Sequence, residues 1–183
     1  MRGMGRPGLL AGVLLLAILT TTAAAKTRPA PDFALRDLNG KKVELSEIIG
    51  DGPVLVSLWA LWCRPCLEEM PHLDALHEEF KDAGLQVLAV SQDSPRSQNK
   101  VKSFVRSRDY GFRVLLDPNG DLTRSFKTKV IPYTVIVDSD GEIVHARAGY
   151  RKGQEKELRK IIAGLLSTPA EDADAHGDAV HSD

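Results

Sequence analysis

Long apolar runs, a second pair of cysteines and a strong charge of either sign are all missing from this chain of 183 residues. Its two cysteines are too few for a small scaffold stapled by several disulfides. They are also too few for a cysteine-rich zinc site, which takes four ligands, and no Cys/His cluster at regular spacing makes up the number. The formal net charge of −1 gives no reason to expect nucleic acid or an anionic membrane surface as a partner. The apolar run near the N-terminus, Leu9 to Leu19, covers 11 residues, against about 20 needed to cross a bilayer. No internal repeat is present.

What is there begins with that N-terminus. Arg2 and Arg6 form a short basic region ahead of the apolar run, and Ala23-Ala24-Ala25 follows it as a small-residue cleavage site. This is the layout of a secretory signal peptide over residues 1–25. Cleavage after Ala25 is expected, with retention as an uncleaved anchor as the alternative. No cysteine follows the leader to accept a lipid, and there is no twin-arginine pair. The remaining 158 residues, 26–183, carry a formal charge of −3 and are long enough for one soluble domain with a proper core. A Pro-punctuated leader is expected over 26–31 and a folded domain over 32–167. Residues 168–183 are rich in Ala, Asp, Glu and His, with Val180 as the single large apolar residue, and read as a disordered acidic tail. His176 and His181 could hold a metal weakly there, but a solvated tail needs no such role. A monomer is expected.

Both cysteines stand in Trp62-Cys63-Arg64-Pro65-Cys66, directly after the apolar run Val54–Trp62. A strand feeding into that pair predicts a strand-to-helix turn with Cys63 at the helix N-terminus. Unpaired N–H groups and the helix dipole stabilise a thiolate at such a place, and the thiolate is the attacking species in disulfide exchange. Half of a zinc site and a purely structural staple are the competing readings. The first lacks ligands, and the second would restrain little of the unfolded chain because the loop is so short. An exported chain with one close pair suits a catalyst acting on other proteins' cysteines.

Around the pair the pattern is α/β. Phe33–Leu38 and Lys42–Leu45 flank the turn dipeptide Asn39-Gly40 and predict a hairpin; Ser46–Ile49 predicts one helical turn. Val54–Trp59 predicts a strand covered on both faces. A helix follows from Arg64 to Ala83, with Leu67, Met70, Leu73, Leu76 and Phe80 at helical spacing and a kink expected at Pro71. Then come a strand at Leu85–Val90, a helix at Gln98–Arg108, a strand at Phe112–Leu116 and a short helix at Asp121–Phe126. Tyr133–Val137 and Glu142–Ala146 predict an antiparallel pair, and Gln154–Leu166 a closing amphipathic helix. Alternating strands and helices ending in an antiparallel pair predict a central mixed β-sheet flanked by helices.

Trp59-Ala60-Leu61-Trp62-Cys63-Arg64-Pro65-Cys66, with the later Val130-Ile131-Pro132 before a strand, resembles the thioredoxin superfamily. The extra strand and helix between Leu85 and Leu116, the leader, and Glu68-Glu69-Met70-Pro71 resemble its TlpA/ResA-like branch of exported thiol–disulfide oxidoreductases. The resemblance covers about residues 32–167 and implies a thioredoxin-like fold with a strand-helix insertion and an N-terminal hairpin. It implies an exposed nucleophile at Cys63, a buried resolving thiol at Cys66, and tuning of the pair by Arg64 and Pro65. Pro132 matches the family's cis-proline, with Ile131 and Trp62 beside the pair as substrate-binding residues. Glu69 matches a carboxylate thought to shape thiol acidity and proton transfer, with a solvated helix acid as the alternative. Ser57 stands where thioredoxin has a buried aspartate, which raises the importance of Glu69. Trp59 and Trp62 are expected to pack beneath and beside the disulfide ring. His72, His77 and His145 match nothing catalytic.

The implied activity needs no cofactor beyond the Cys63–Cys66 disulfide. Its implied partners are client proteins with disulfides, such as apocytochrome c or copper-site assembly proteins, and a membrane electron donor for re-reduction. The branch favours reduction, but an oxidase is the same fold run backwards, and direction depends on potentials that two residues do not give. A Cu(I)-binding assembly protein, with His145 as a third ligand, and a peroxidase of the same fold are further readings.

Overall fold

The structure, a computed structural model, describes residues 28–167. The expected signal peptide, the first residues of the leader and the acidic tail lie outside the described residues. One sheet organises the rest. Its strands are β1 (Arg28–Pro29), β2 (Ala34–Asp37), β3 (Lys42–Glu44), β4 (Val54–Trp59), β5 (Gln86–Ser91), β6 (Arg113–Leu116), β7 (Tyr133–Val137) and β8 (Glu142–Ala148). They lie in the order β1-β8-β7-β4-β5-β6-β2-β3. β4 pairs in parallel with β5, and β5 with β6; every other pairing is antiparallel, so the sheet is mixed as expected.

Four helices flank it: α1 (Arg64–Phe80), α2 (Gln98–Arg108), α3 (Asp121–Ser125) and α4 (Glu155–Ser167). β4 is buried at every position, and its side chains alternate between two cores. Leu55 and Trp59 join Met70, Leu73 and Leu76 of α1, Val101 and Val105 of α2, and Leu158 and Ile162 of α4. Val54, Val56 and Leu58 face the other way, toward Leu122 and Phe126 of α3 and Val43 and Leu45 of the N-terminal hairpin. Ser57 therefore points to the α1 side.

Two expectations change and one is extended. The segment taken as leader begins pairing at Arg28, which lies opposite Ile143 of β8. Pro29 has no N–H to give a further strand and is tolerated because β1 is the outer strand. The expected hairpin is present, but β2 also continues the main sheet by pairing with β6. The helix expected to reach Ala83 ends at Phe80 and tightens into a 3₁₀ turn, Lys81–Ala83, closed by Gly84 at φ 106°. α1 runs unbroken through Pro71.

Candidate active site

The parallel pair β4–β5 carries the chain to the end of the sheet where the cysteines stand. Beyond Trp59 the backbone turns through Ala60-Leu61-Trp62, with Cys63 N–H donating to Ala60 O at 3.1 Å. Asp93, just past β5 and only 4% exposed, holds that turn. Its Oδ2 accepts from Leu61 N–H at 2.9 Å and from the Ser91 hydroxyl at 3.0 Å. Cys63 is then the N-cap of α1, and Pro65 sits in the first turn, where a missing N–H costs nothing.

Cys63 and Cys66 form a disulfide, S–S 2.04 Å. Cys66 N–H donates to Cys63 Sγ at 3.3 Å, which places an unpaired helix donor on the sulfur expected to carry negative charge. Cys66 is fully buried. Cys63 is the more accessible of the two, but at 5% exposure it is far less open than expected, because it packs into the core cluster that also holds Trp59. Trp62, next to Cys63 in the chain, stands 73% exposed, while Trp59 is buried in that core. Arg64 projects into solvent and donates from Nε to Glu68. The Ile131–Pro132 peptide bond is cis. Leu58 pairs with Tyr133, so Pro132 lies level with the end of β4, where the turn to Cys63 begins.

Glu69 is not the solvated helix acid that stood as the alternative, and its surroundings were not foreseen. One turn beyond Cys66, it is 1% exposed, unlike its solvated neighbour Glu68. Ser57 lies opposite Thr134, and Thr134 opposite Arg147, so β4, β7 and β8 present three polar side chains in one row across the sheet. The carboxylate sits on that row. Ser57 Oγ donates to Oε2 at 3.1 Å, Thr134 Oγ1 lies 3.1 and 3.3 Å from the two oxygens, and Arg147 Nη2 donates to Oε1 at 2.7 Å. Burial pushes the Glu69 carboxyl above its ordinary value, against the opposing pull of Arg147 and of the two hydroxyls. Beside the ion pair, Tyr150 donates to Glu155 at 3.1 Å, and burial followed by that contact pushes its phenol up to about 12.

Thr134, Arg147 and Asp93 were missed. No local motif marks them, since each meets the site through strand register or loop return. Burial lowers His145, on β8, below the usual imidazole range, and His72 lies against Tyr150. Among the described residues no three His, Cys, Asp or Glu side chains cluster so as to hold a metal ion, so His145 does not complete a copper site with the cysteines. Among the same residues no helix is long and apolar enough to cross a membrane.

Comparison with known proteins agrees with this geometry. Residues 27–146 match the AhpC/TSA family. The thiol–disulfide oxidoreductase ResA of Bacillus thuringiensis subsp. konkukian is 32% identical over 136 residues, covering 73% of this chain and 77% of that protein. ResA of Geobacillus kaustophilus is 33% identical over 159 residues, covering 87% and 80%. Among solved structures, a putative thiol:disulfide interchange protein DsbE from Chlorobium tepidum superposes with a TM-score of 0.70 at 30% identity, covering 78% of this chain and 98% of that one. With its redox-spaced cysteines on a thioredoxin-like sheet, the chain belongs to the AhpC/TSA family and is a thiol–disulfide oxidoreductase of the ResA type.

Proposed function

We propose that this protein works outside the cytosol as a reductase of disulfides in client proteins, and is itself recharged by a membrane electron donor. The signal-like residues 1–25 support export, and the absence of further cysteines supports a catalyst over a stapled scaffold. The observation that carries the reading is the Cys63–Cys66 pair at the start of α1, with the Cys66 N–H on Cys63 Sγ and the buried Glu69 one turn further on. In the reduced protein, Cys63 thiolate attacks a client disulfide, a Cys63–client bond forms, and one client sulfur leaves as thiolate. Cys66 then gives its proton to Glu69 carboxylate and attacks Cys63 Sγ. The intramolecular disulfide forms and the second client sulfur leaves reduced. Exposed Trp62 and Val130 and half-buried Ile131 offer the apolar ground on which an extended client segment would lie, beside cis-Pro132. Arg64 and Pro65, within the ring, bias the stability of the Cys63 thiolate. Clients of the apocytochrome c or copper-site assembly kind fit this chemistry.

Replacing Cys66 by Ser tests the reading. With no resolving thiol, mixed disulfides accumulate on Cys63, and their reduction releases the clients for identification. The wild type reduces insulin, and the variant does not turn over. Absence of adducts, together with a Cys63 thiol inert to dithiobis-nitrobenzoate, overturns the proposal.

A further inference from the structure

Glu69 can accept the Cys66 proton only while it is ionised, and its burial works against ionisation. The neutral donors on it, Ser57 from β4 and Thr134 from β7, are weak opponents of that cost; among the described residues the single cation in direct contact is Arg147 from β8. Arg147 is itself 10% exposed, and its Nε and Nη1 are buried with no hydrogen-bond partner among the described residues. Its Nη2 bond to Glu69 is thus its one side-chain hydrogen bond among the described residues, and its Cζ lies 6.0 Å from the Tyr150 ring centre. A guanidinium placed so deep, with most of its donors unspent, is poorly explained as a structural staple. A buried ion pair is weak evidence for stability, because desolvation of the two charges offsets their attraction.

We propose that Arg147 is the positioning residue that keeps Glu69 ionised and aimed at Cys66, and so sets the pH at which the resolving thiol is activated. This rests on the proposed proton transfer from Cys66 to Glu69. The proton balance is closed. Cys66 S–H loses its proton to Glu69, Cys66 S⁻ takes up the bond to Cys63, and Glu69 returns the proton to solvent once the client has left. Arg147 keeps its charge throughout and touches none of the reacting sulfurs. Among the described residues, the charged and titratable groups around Glu69 are Cys66 on its own helix, Arg147 on β8 with His145 acting on it from the same strand, and Tyr150 beyond β8. His72 of α1 and Glu155 of α4 meet that set through Tyr150.

The test follows the reduced protein reacting with dithiobis-nitrobenzoate across a range of pH. A first nitrothiolate is released when Cys63 attacks, and a second when Cys66 resolves the adduct. Arg147→Met is expected to leave the first phase near wild type. The acid limb of the second phase should move to higher pH, slowing resolution about ten-fold at a fixed pH on that limb for a displacement of one pH unit. Arg147→Lys keeps a cation and should fall between the two. Glu69→Gln should abolish the limb, and adding Arg147→Met to it should change nothing more. If Glu69→Gln removes the limb but both Arg147 variants retain the wild-type one, the role of Arg147 is refuted and the proton transfer to Glu69 stands. If Glu69→Gln retains the limb, the proton-transfer reading fails and Arg147 with it. Should Arg147→Met not fold, Arg147→Lys and Arg147→Gln decide the same question, because a purely structural loss would lower stability without moving the limb.

Discussion

At the scale of single residues, the site depends on carboxylates that the fold has removed from water. Asp93 and Glu69 are both nearly inaccessible, yet they serve differently. Asp93 accepts from a backbone N–H and a hydroxyl and has no cation on it in the geometry described, so its task is to fix the turn between Trp59 and Cys63. Truncating it strands a buried donor. Asp93→Ala should therefore cost about 1–3 kcal/mol, read as a lower denaturant midpoint. It should also loosen the Cys63 turn, so that alkylation of the reduced Cys63 thiol changes rate while Glu69-dependent behaviour stays. A midpoint within error of wild type would mean that Leu61 N–H finds water in place of Asp93. Glu69, by contrast, was singled out by its spacing to Cys66 together with the resemblance to the TlpA/ResA-like branch. Its partners were not, because Thr134 and Arg147 are 65 and 78 residues away along the chain.

At the scale of elements, what could be seen in advance was what each segment carries within itself. The apolar run of β4, the cysteine turn, the α1 periodicity and the bounds of α2 are local properties, and α2 spans the residues expected of it. Pairing is a property of two segments: the β2–β3 and β7–β8 hairpins were foreseen from their turns, but pairing between segments distant in sequence was not. β1 is two residues long and contains a proline, so nothing in its own sequence marks it as a strand; only the edge of β8 makes it one. The row Ser57–Thr134–Arg147 likewise exists only once β4, β7 and β8 are in register, and an irregularity in the β7–β8 pairing between Ile136 and Val137 lies within that ladder. A similar long-range constraint acts where β4 and β5 begin. Gly52 has φ 147°, and a Cβ on it would lie 2.5 Å from the carbonyl oxygen of Gly84, itself a backbone atom that cannot swing away. Gly52→Ala should destabilise the protein by about 1–3 kcal/mol through strain alone, with the redox pair chemically unaltered. Thermal unfolding measures the first part and insulin reduction at low temperature the second. An alanine variant as stable as wild type would show that the two loops can part without cost.

At the scale of the whole molecule, two titrations of opposite sense shape stability against pH. Glu69 has a folded value raised above the ordinary 4.5, chiefly by burial, so the native state binds its proton more tightly than the unfolded chain does. Its contribution is fully present below 4.5 and is lost as pH rises through the folded value. His145 has a folded value lowered below 6.5, again chiefly by burial, so its contribution is present above 6.5 and is lost as pH falls through the folded value. Comparing urea midpoints of wild type and Glu69→Gln across this range isolates the first effect: the advantage of wild type should shrink as pH rises above 4.5. For His145→Gln the trend is reversed, with the advantage of wild type growing up to pH 6.5. Arg147 acts on both the stability and the kinetics. Without its charge the Glu69 carboxyl rises further, so in Arg147→Met the decline attributed to Glu69 should continue to higher pH than in wild type. That upward extension should match the displacement of the acid limb seen in resolution of the Cys63 adduct, since one proton on one carboxylate governs both. If the stability curve moves while the kinetic limb stays where it was, and Glu69→Gln keeps that limb too, Arg147 governs Glu69 but Glu69 does not receive the proton of Cys66.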